Sequence, residues 1–363
     1  MTASTVFPAN RAAHGCQPPF SDEVRSYYQD KFAQNGLAIA LAGSQALGYA
    51  TSKSDIDLVL LAKPGSVLAD KDQEYITDVV AGTRAEILVL VPETIERLLR
   101  HTRETGYKDL NYAQRRRIER LTTALPIVGA SNWEKVLELF SRPDYQKQVL
   151  ADNLVLASKS FDDLAGLVCD GDYTNAVDSM RFLLQVQMEC LLCTYGDTGD
   201  RRRWLLRRMR LMDGFDPTVV DGFVDFNFNM INSKYSTLLE WLLQAFRFHQ
   251  KVQCKVLMRN TFEFDCPIDT PTTVLTGRKY ILSDFVFVLN IMDKWFVKSL
   301  ESMHIIDLTS ATILLMCSRE VDANYLIDYF SNMSNPLFHA ADAADAVNLR
   351  LAQLTDAGFL CAN

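Results

Sequence analysis

The apolar positions along the chain change period twice. Ser21 is placed to cap a helix running from Asp22 to about Gln34, closed by Asn35-Gly36. Three short apolar runs follow: LAIALAG (37–43), IDLVLLA (56–62) and EILVLV (86–91). The first ends at glycine and the other two at Pro64-Gly65 and Pro92. Runs of this length bounded by Gly and Pro predict buried strands. A helix is expected around Gln73–Ala81 between the second and third. Strands alternating with helices predict a small sheet covered on both faces, ending near Gly129–Trp133 after LPIVGA.

From Trp133 to about Arg259 the apolar residues recur at a 3.6-residue period. WEKVLELF, VLADNLVLASKSF, NAVDSMRFLLQVQMECLLCTYG and STLLEWLLQAFRFHQKVQ each predict a helix with one or more buried faces, and together a bundle. The Thr- and Pro-rich stretch 262–282 marks a boundary with short strands. Helices at Asp307–Ser318, Asp322–Ser331 and Ala340–Ala357 follow, and FLCA (359–362) can add a strand. Three short helices with a strand on either side have the outline of a winged helix. The fold class is therefore α+β. Its expected parts are a loose arm (1–20), a small mixed-sheet domain (21–132), a helical bundle (133–260) and a winged-helix-like domain (261–363).

Composition narrows the picture. The 363 residues are 48% hydrophobic and 23% charged, ordinary globular values that exclude a mostly disordered or fibrous chain. A net charge of -8 disfavours coating of long nucleic acid, which wants a basic face. The most apolar stretch, Tyr280–Val297, is broken by Asp284, Asp293 and Lys294 and reads as soluble core, not as a membrane span. The first twenty residues hold no apolar signal core, and eight cysteines are too sparse for a disulfide scaffold. Reduced thiols and a cytoplasmic location are expected. Cys190-x-x-Cys193 has the spacing of a redox or zinc pair, but it sits in an apolar helical run, where packing is the simpler role. The Arg201–Arg203 cluster with Arg207, Arg208 and Arg210, and the run Arg115–Arg117, read mainly as solvated helix faces.

The segment that carries chemistry is GSQALGYATSKSDIDL, residues 43–58. An apolar strand runs into Gly43-Ser44, and Gly48 permits a tight turn. Backbone N–H groups at such a turn, with a serine hydroxyl beside them, make a seat for phosphate. Asp55-Ile56-Asp57 opens the next strand after ten intervening residues. Side chains at i and i+2 share a face about 7 Å apart, with Ile56 and Leu58 turned the other way into the core. Two carboxylates so placed can serve a pair of hard cations about 3.5–4 Å apart. Gly43-x-x-x-x-Gly48 lacks the Lys-Ser/Thr of a P-loop, since Tyr49-Ala50 stand there.

With strand, Gly-Ser, Asp-x-Asp and strand in this order, the segment resembles the DNA polymerase beta-type nucleotidyltransferase superfamily. SDIDLVLL is similar to the version in its minimal and aminoglycoside-type members. The resemblance implies transfer of a nucleoside monophosphate from an NTP to an acceptor, usually a hydroxyl, with release of pyrophosphate and the help of two Mg²⁺ ions. It implies that Asp55, Asp57 and a third carboxylate bind metal, with Glu86 the best match for the third. Glu86 is also the candidate base for the acceptor, ahead of Glu74 and Glu93. Gly43, Ser44 and Ser54 are implied for the nucleotide. ATP is the expected NTP only by family habit, and the acceptor is a small molecule or a peptide. The last hundred residues more softly resemble leader-peptide-binding winged-helix domains, with TVLTGRKYIL (273–282) as the edge to which a peptide would add. Two other readings stay open: a non-catalytic nucleotide- or peptide-binding protein on the same fold, and a tRNA-modifying nucleotidyltransferase.

Overall fold

The computed structural model describes residues 21–199, 202–229, 235–262, 278–291, 294–332 and 342–362. The expected arm (1–20), Arg201 and residues 273–277 of the expected peptide edge lie outside them. The chain divides into two compact units at 148/149.

The first unit is a five-stranded mixed sheet with helices. Helix α1 (Asp22–Phe32) is capped by Ser21, whose hydroxyl accepts from the Val24 amide at 3.3 Å. The strands are β1 (Gly36–Ala42), β2 (Ile56–Ala62), β3 (Tyr75–Val80), β4 (Thr83–Leu90) and β5 (Leu125–Val128), in the spatial order β3-β4-β2-β1-β5. Only the β2–β4 pair is parallel. One face buries Ile56, Leu58, Leu60, Ile87 and Val89 against Val24, Tyr28 and Phe32 of α1. The alternate positions Val59, Leu61, Leu88 and Leu90 are buried on the other face. Three helices fill the chain between and after the strands: α3 (Pro92–Thr105), α4 (Tyr112–Thr122) and α5 (Ala130–Leu137). A single turn, α2 (Gly43–Ala46), follows β1.

The helix expected at 73–81 is instead strand β3. Its exposure alternates along Tyr75-Ile76-Thr77-Asp78-Val79-Val80, a period of two, and four of its six residues are β-branched. Ala81 and Gly82 both take positive φ, 48° and 74°, which forms the tight turn joining β3 to β4 as a hairpin.

Helix α6 (Arg142–Cys169) runs across the division. In the second unit, α7 (Tyr173–Thr194) packs along α10 (Leu238–Phe262), with α8 (Leu205–Leu211) and α9 (Pro217–Asn227) beside α7. One sheet is the antiparallel meander β7 (Phe287–Ile291), β8 (Lys294–Lys298), β9 (Met303–Ile306). Helices α11 (Leu308–Met316), α12 (Ala323–Ser331) and α13 (Ala343–Asp356) lie close to the expected spans. A second sheet has β6 (Lys279–Leu282) between β10 (Val321–Asp322) and β11 (Leu360–Ala362). The strand expected to offer a peptide edge is thus flanked on both sides, by β10 at Lys279 and Tyr280 and by β11 at Tyr280–Leu282. Among the described residues, no helix is long and apolar enough to cross a membrane.

Candidate active site

The site residues meet because β2 and β4 run parallel and in register. Asp57 of β2 pairs with Glu86 of β4; on the outer sides Glu86 pairs with Thr77 of β3, and Asp57 with Ala42, the last residue of β1. One transverse row therefore reads Thr77, Glu86, Asp57, Ala42. Neighbouring strands stand about 4.8 Å apart, so the two carboxylates issue from adjacent backbone positions on one face. Their chain neighbours Ile56, Leu58, Ala85 and Ile87 are fully buried on the opposite face, which fixes the orientation.

Gly43 lies beside this row. Its φ is +67°, and a Cβ there would overlap the carboxylate of Asp57. The missing side chain is what lets the turn lie against Asp57. Ser44 is buried, and its carbonyl accepts from the amides of Tyr49 at 2.8 Å and Ala50 at 3.1 Å, closing the loop. Gln45 Nε2 donates to the carbonyl of Asp55 at 3.4 Å, tying the turn to the start of the next strand. Asp55 is half-buried, one residue before β2. Ser54 is occupied differently: its Oγ accepts from the Thr51 amide at 2.9 Å and helps close the turn that leads into β2.

Both row carboxylates face arginines. Arg120 of α4 donates through Nη2 to Asp57 Oδ1 at 3.1 Å and through Nη1 to the Tyr75 hydroxyl at 2.9 Å. Its guanidinium lies 5.6 Å from the Tyr75 ring centroid. Arg84 donates to Glu86 Oε1 at 2.6 Å.

The family model for the nucleotidyltransferase domain matches residues 21–112. Those residues form a nucleotidyltransferase domain. A solved nucleotidyltransferase-like protein from Exiguobacterium sibiricum 255-15 is similar at 14% identity, covering 68% of this chain and 81% of its own, with a TM-score of 0.34. A likeness of that size carries nothing about the site. Among curated proteins no sequence matches the chain.

The nucleotidyltransferase domain implies an NTP substrate and supports transfer of a nucleoside monophosphate in general. Asp55, Asp57 and Glu86 are hard oxygen donors of the kind a divalent cation takes, and the backbone sets Asp57 and Glu86 side by side. The side chains themselves are turned to Arg120 and Arg84, and among the described residues no three acidic, His or Cys groups are gathered as a metal cluster.

Arg120 and Tyr75 are the members that sequence reasoning missed. Arg120 follows the run Arg115–Arg117 and looks in sequence like one more basic residue of an exposed helix face. Tyr75 was hidden by the helix expected there. Of the alternatives to Glu86, Glu74 precedes β3 and Glu93 sits in the first turn of α3, and neither is in the transverse row.

Proposed function

We propose that the domain transfers a nucleoside monophosphate, AMP by preference, from a Mg-bound NTP to a hydroxyl of a small molecule or peptide. Asp55, Asp57 and Glu86 would hold the divalent ions. Bound there, Mg²⁺ would supply positive charge that offsets the charge of the triphosphate. Gly43, Ser44 and Ser54 seat the triphosphate. Glu86 takes the proton from the acceptor hydroxyl. The freed oxygen bonds to the α-phosphorus as its bond to the bridging oxygen breaks, and pyrophosphate leaves with the electron pair.

The observation that supports this reading is the adjacency of Asp57 and Glu86 in parallel register beside Gly43, within residues that match a nucleotidyltransferase domain. The test is pyrophosphate release from each NTP with Mg²⁺ over a panel of hydroxyl acceptors. Asp57→Asn, which keeps a side-chain partner for Arg120, is expected to lower release about 100-fold or more with little change in melting temperature. Full activity in that variant would overturn the mechanism.

The pairing of both row carboxylates with Arg84 and Arg120 favours a second reading, a nucleotide-binding protein that does not turn over. Calorimetry separates the two: NTP binding with no pyrophosphate from any acceptor supports the second.

A further inference from the structure

The second unit contains an open cavity of about 520 Å³ that takes no residue from the nucleotidyltransferase domain. Two helical stripes make its long walls. On α9 the stripe is Thr218, Gly222 and Phe226, spaced i, i+4, i+8; on α10 it is Gln244, Arg247, Phe248 and Lys251, spaced i, i+3, i+4, i+7. A Cβ at Gly222 would overlap the Phe248 ring, so the glycine lets the two helices approach closely. Gln250 of α10, Ile281 of β6 and the turn Ser318–Glu320 after α11 complete the lining.

The lining is unlike a packing crevice. A groove between helices that serves only the core is filled by apolar side chains. This one stays open, at a volume typical of small-molecule sites, and three cations border it: Arg247, Lys251 and Arg319. Arg319 is only 3% exposed and its Nη2 donates to the Tyr325 hydroxyl at 2.9 Å, which fixes it in place. The one acidic residue of the lining, Glu320, is paired with Lys279 at 3.2 Å; Arg247 is paired with Asp284 at 3.1 Å. Lys251 makes no ion pair with any described residue. Apart from Ile281 the apolar part is aromatic: the rings of Phe226 and Phe248 lie 5.5 Å apart, centroid to centroid, tilted by 31°.

We propose that this cavity binds a small organic anion carrying a planar apolar body, its anionic group toward Lys251 and Arg319 and its body against Phe226 and Phe248. The argument is one of matched chemistry: cations for the anionic end, aromatic faces for the rest, and a rigid frame under both. The proposal stands whether or not the first unit turns over NTP.

Phenylphosphonate carries both features on one small molecule, so it is the probe. Titrated calorimetrically into the full chain, it is expected to bind, with benzyl alcohol and inorganic phosphate each at least tenfold weaker. Lys251→Glu, a change at a half-exposed position, is expected to weaken phenylphosphonate at least tenfold while leaving the melting temperature within a few degrees. Arg247→Gln keeps hydrogen bonding without the charge and is expected to weaken it by a smaller factor. The proposal is overturned if phenylphosphonate does not bind at millimolar concentration. It is also overturned if affinity is unchanged in both variants, or if inorganic phosphate binds as well as phenylphosphonate.

Discussion

At the scale of single residues, Gly43 and His249 make the clearest demands. Gly43 needs its left-handed φ of +67° and the space of a missing Cβ beside Asp57. Gly43→Ala is expected to cost roughly 1–3 kcal/mol in backbone strain and to displace the Asp57 carboxylate, with loss of any NTP turnover. Urea unfolding and a pyrophosphate assay read the two effects separately. His249 is fully buried between the rings of Phe246 and Phe287, and among the described residues neither ring nitrogen has a hydrogen-bond partner. Burial pushes its pKa down to about 3. The unfolded chain, with an ordinary value near 6.5, binds the extra proton first as pH falls. Stability is therefore fully present above about pH 6.5 and falls toward pH 3, by at most roughly 1.4 kcal/mol per pH unit from this group. His249→Phe is expected to flatten that part of the stability–pH curve in chemical denaturation. An unchanged slope would refute the assignment.

At the scale of elements, α8 departs most sharply from what its sequence suggests. Arg208 belongs to a basic run that reads as a solvated face, yet its side chain is fully buried. It donates to Glu189 of α7 at 2.7 Å and to Asp197 at 3.1 Å, locking α8 to the end of α7. Removing one member of such a group leaves buried charge uncompensated. Arg208→Met is expected to cost about 3–5 kcal/mol, read as a fall in melting temperature. A change within 1 kcal/mol would mean that Glu189 and Asp197 find water or other donors. Strand β3 teaches a related lesson. Its apolar pattern is weak in sequence because, as an edge strand, it exposes apolar Tyr75 and Val79 while its more buried face carries Asp78. Strands β2 and β4, buried on both faces, were legible as continuous apolar runs. Cys190 and Cys193 sit where the apolar run put them, fully buried on α7, and burial raises the Cys190 thiol well above its ordinary value.

At the scale of the whole molecule, the net charge of -8 bears on partners. Duplex RNA or DNA is expected to be retained weakly even at low ionic strength, measured by filter binding across a salt series. Tight binding with a steep salt slope would revive the tRNA-modifying reading. The sequence by itself determined the elements whose signals are local: the Ser21 cap, β2 at residues 56–62, the Gly-Ser turn followed by Asp-x-Asp, and the long helices. Caps, turns and periods depend on residues within a few positions of one another, so they can be read along the chain. Tertiary structure alone decided that β4 lies parallel to β2 with Glu86 abreast of Asp57, that Arg120 reaches Asp57 across 63 positions, and that β6 is paired on both edges. It also decided that α9 and α10 leave a cation-lined cavity between them. The reason is physical: register and side-chain partnership are settled by which surfaces pack together, and arginines alike in sequence become solvated, buried or paired with Asp57 only when the chain has closed around them.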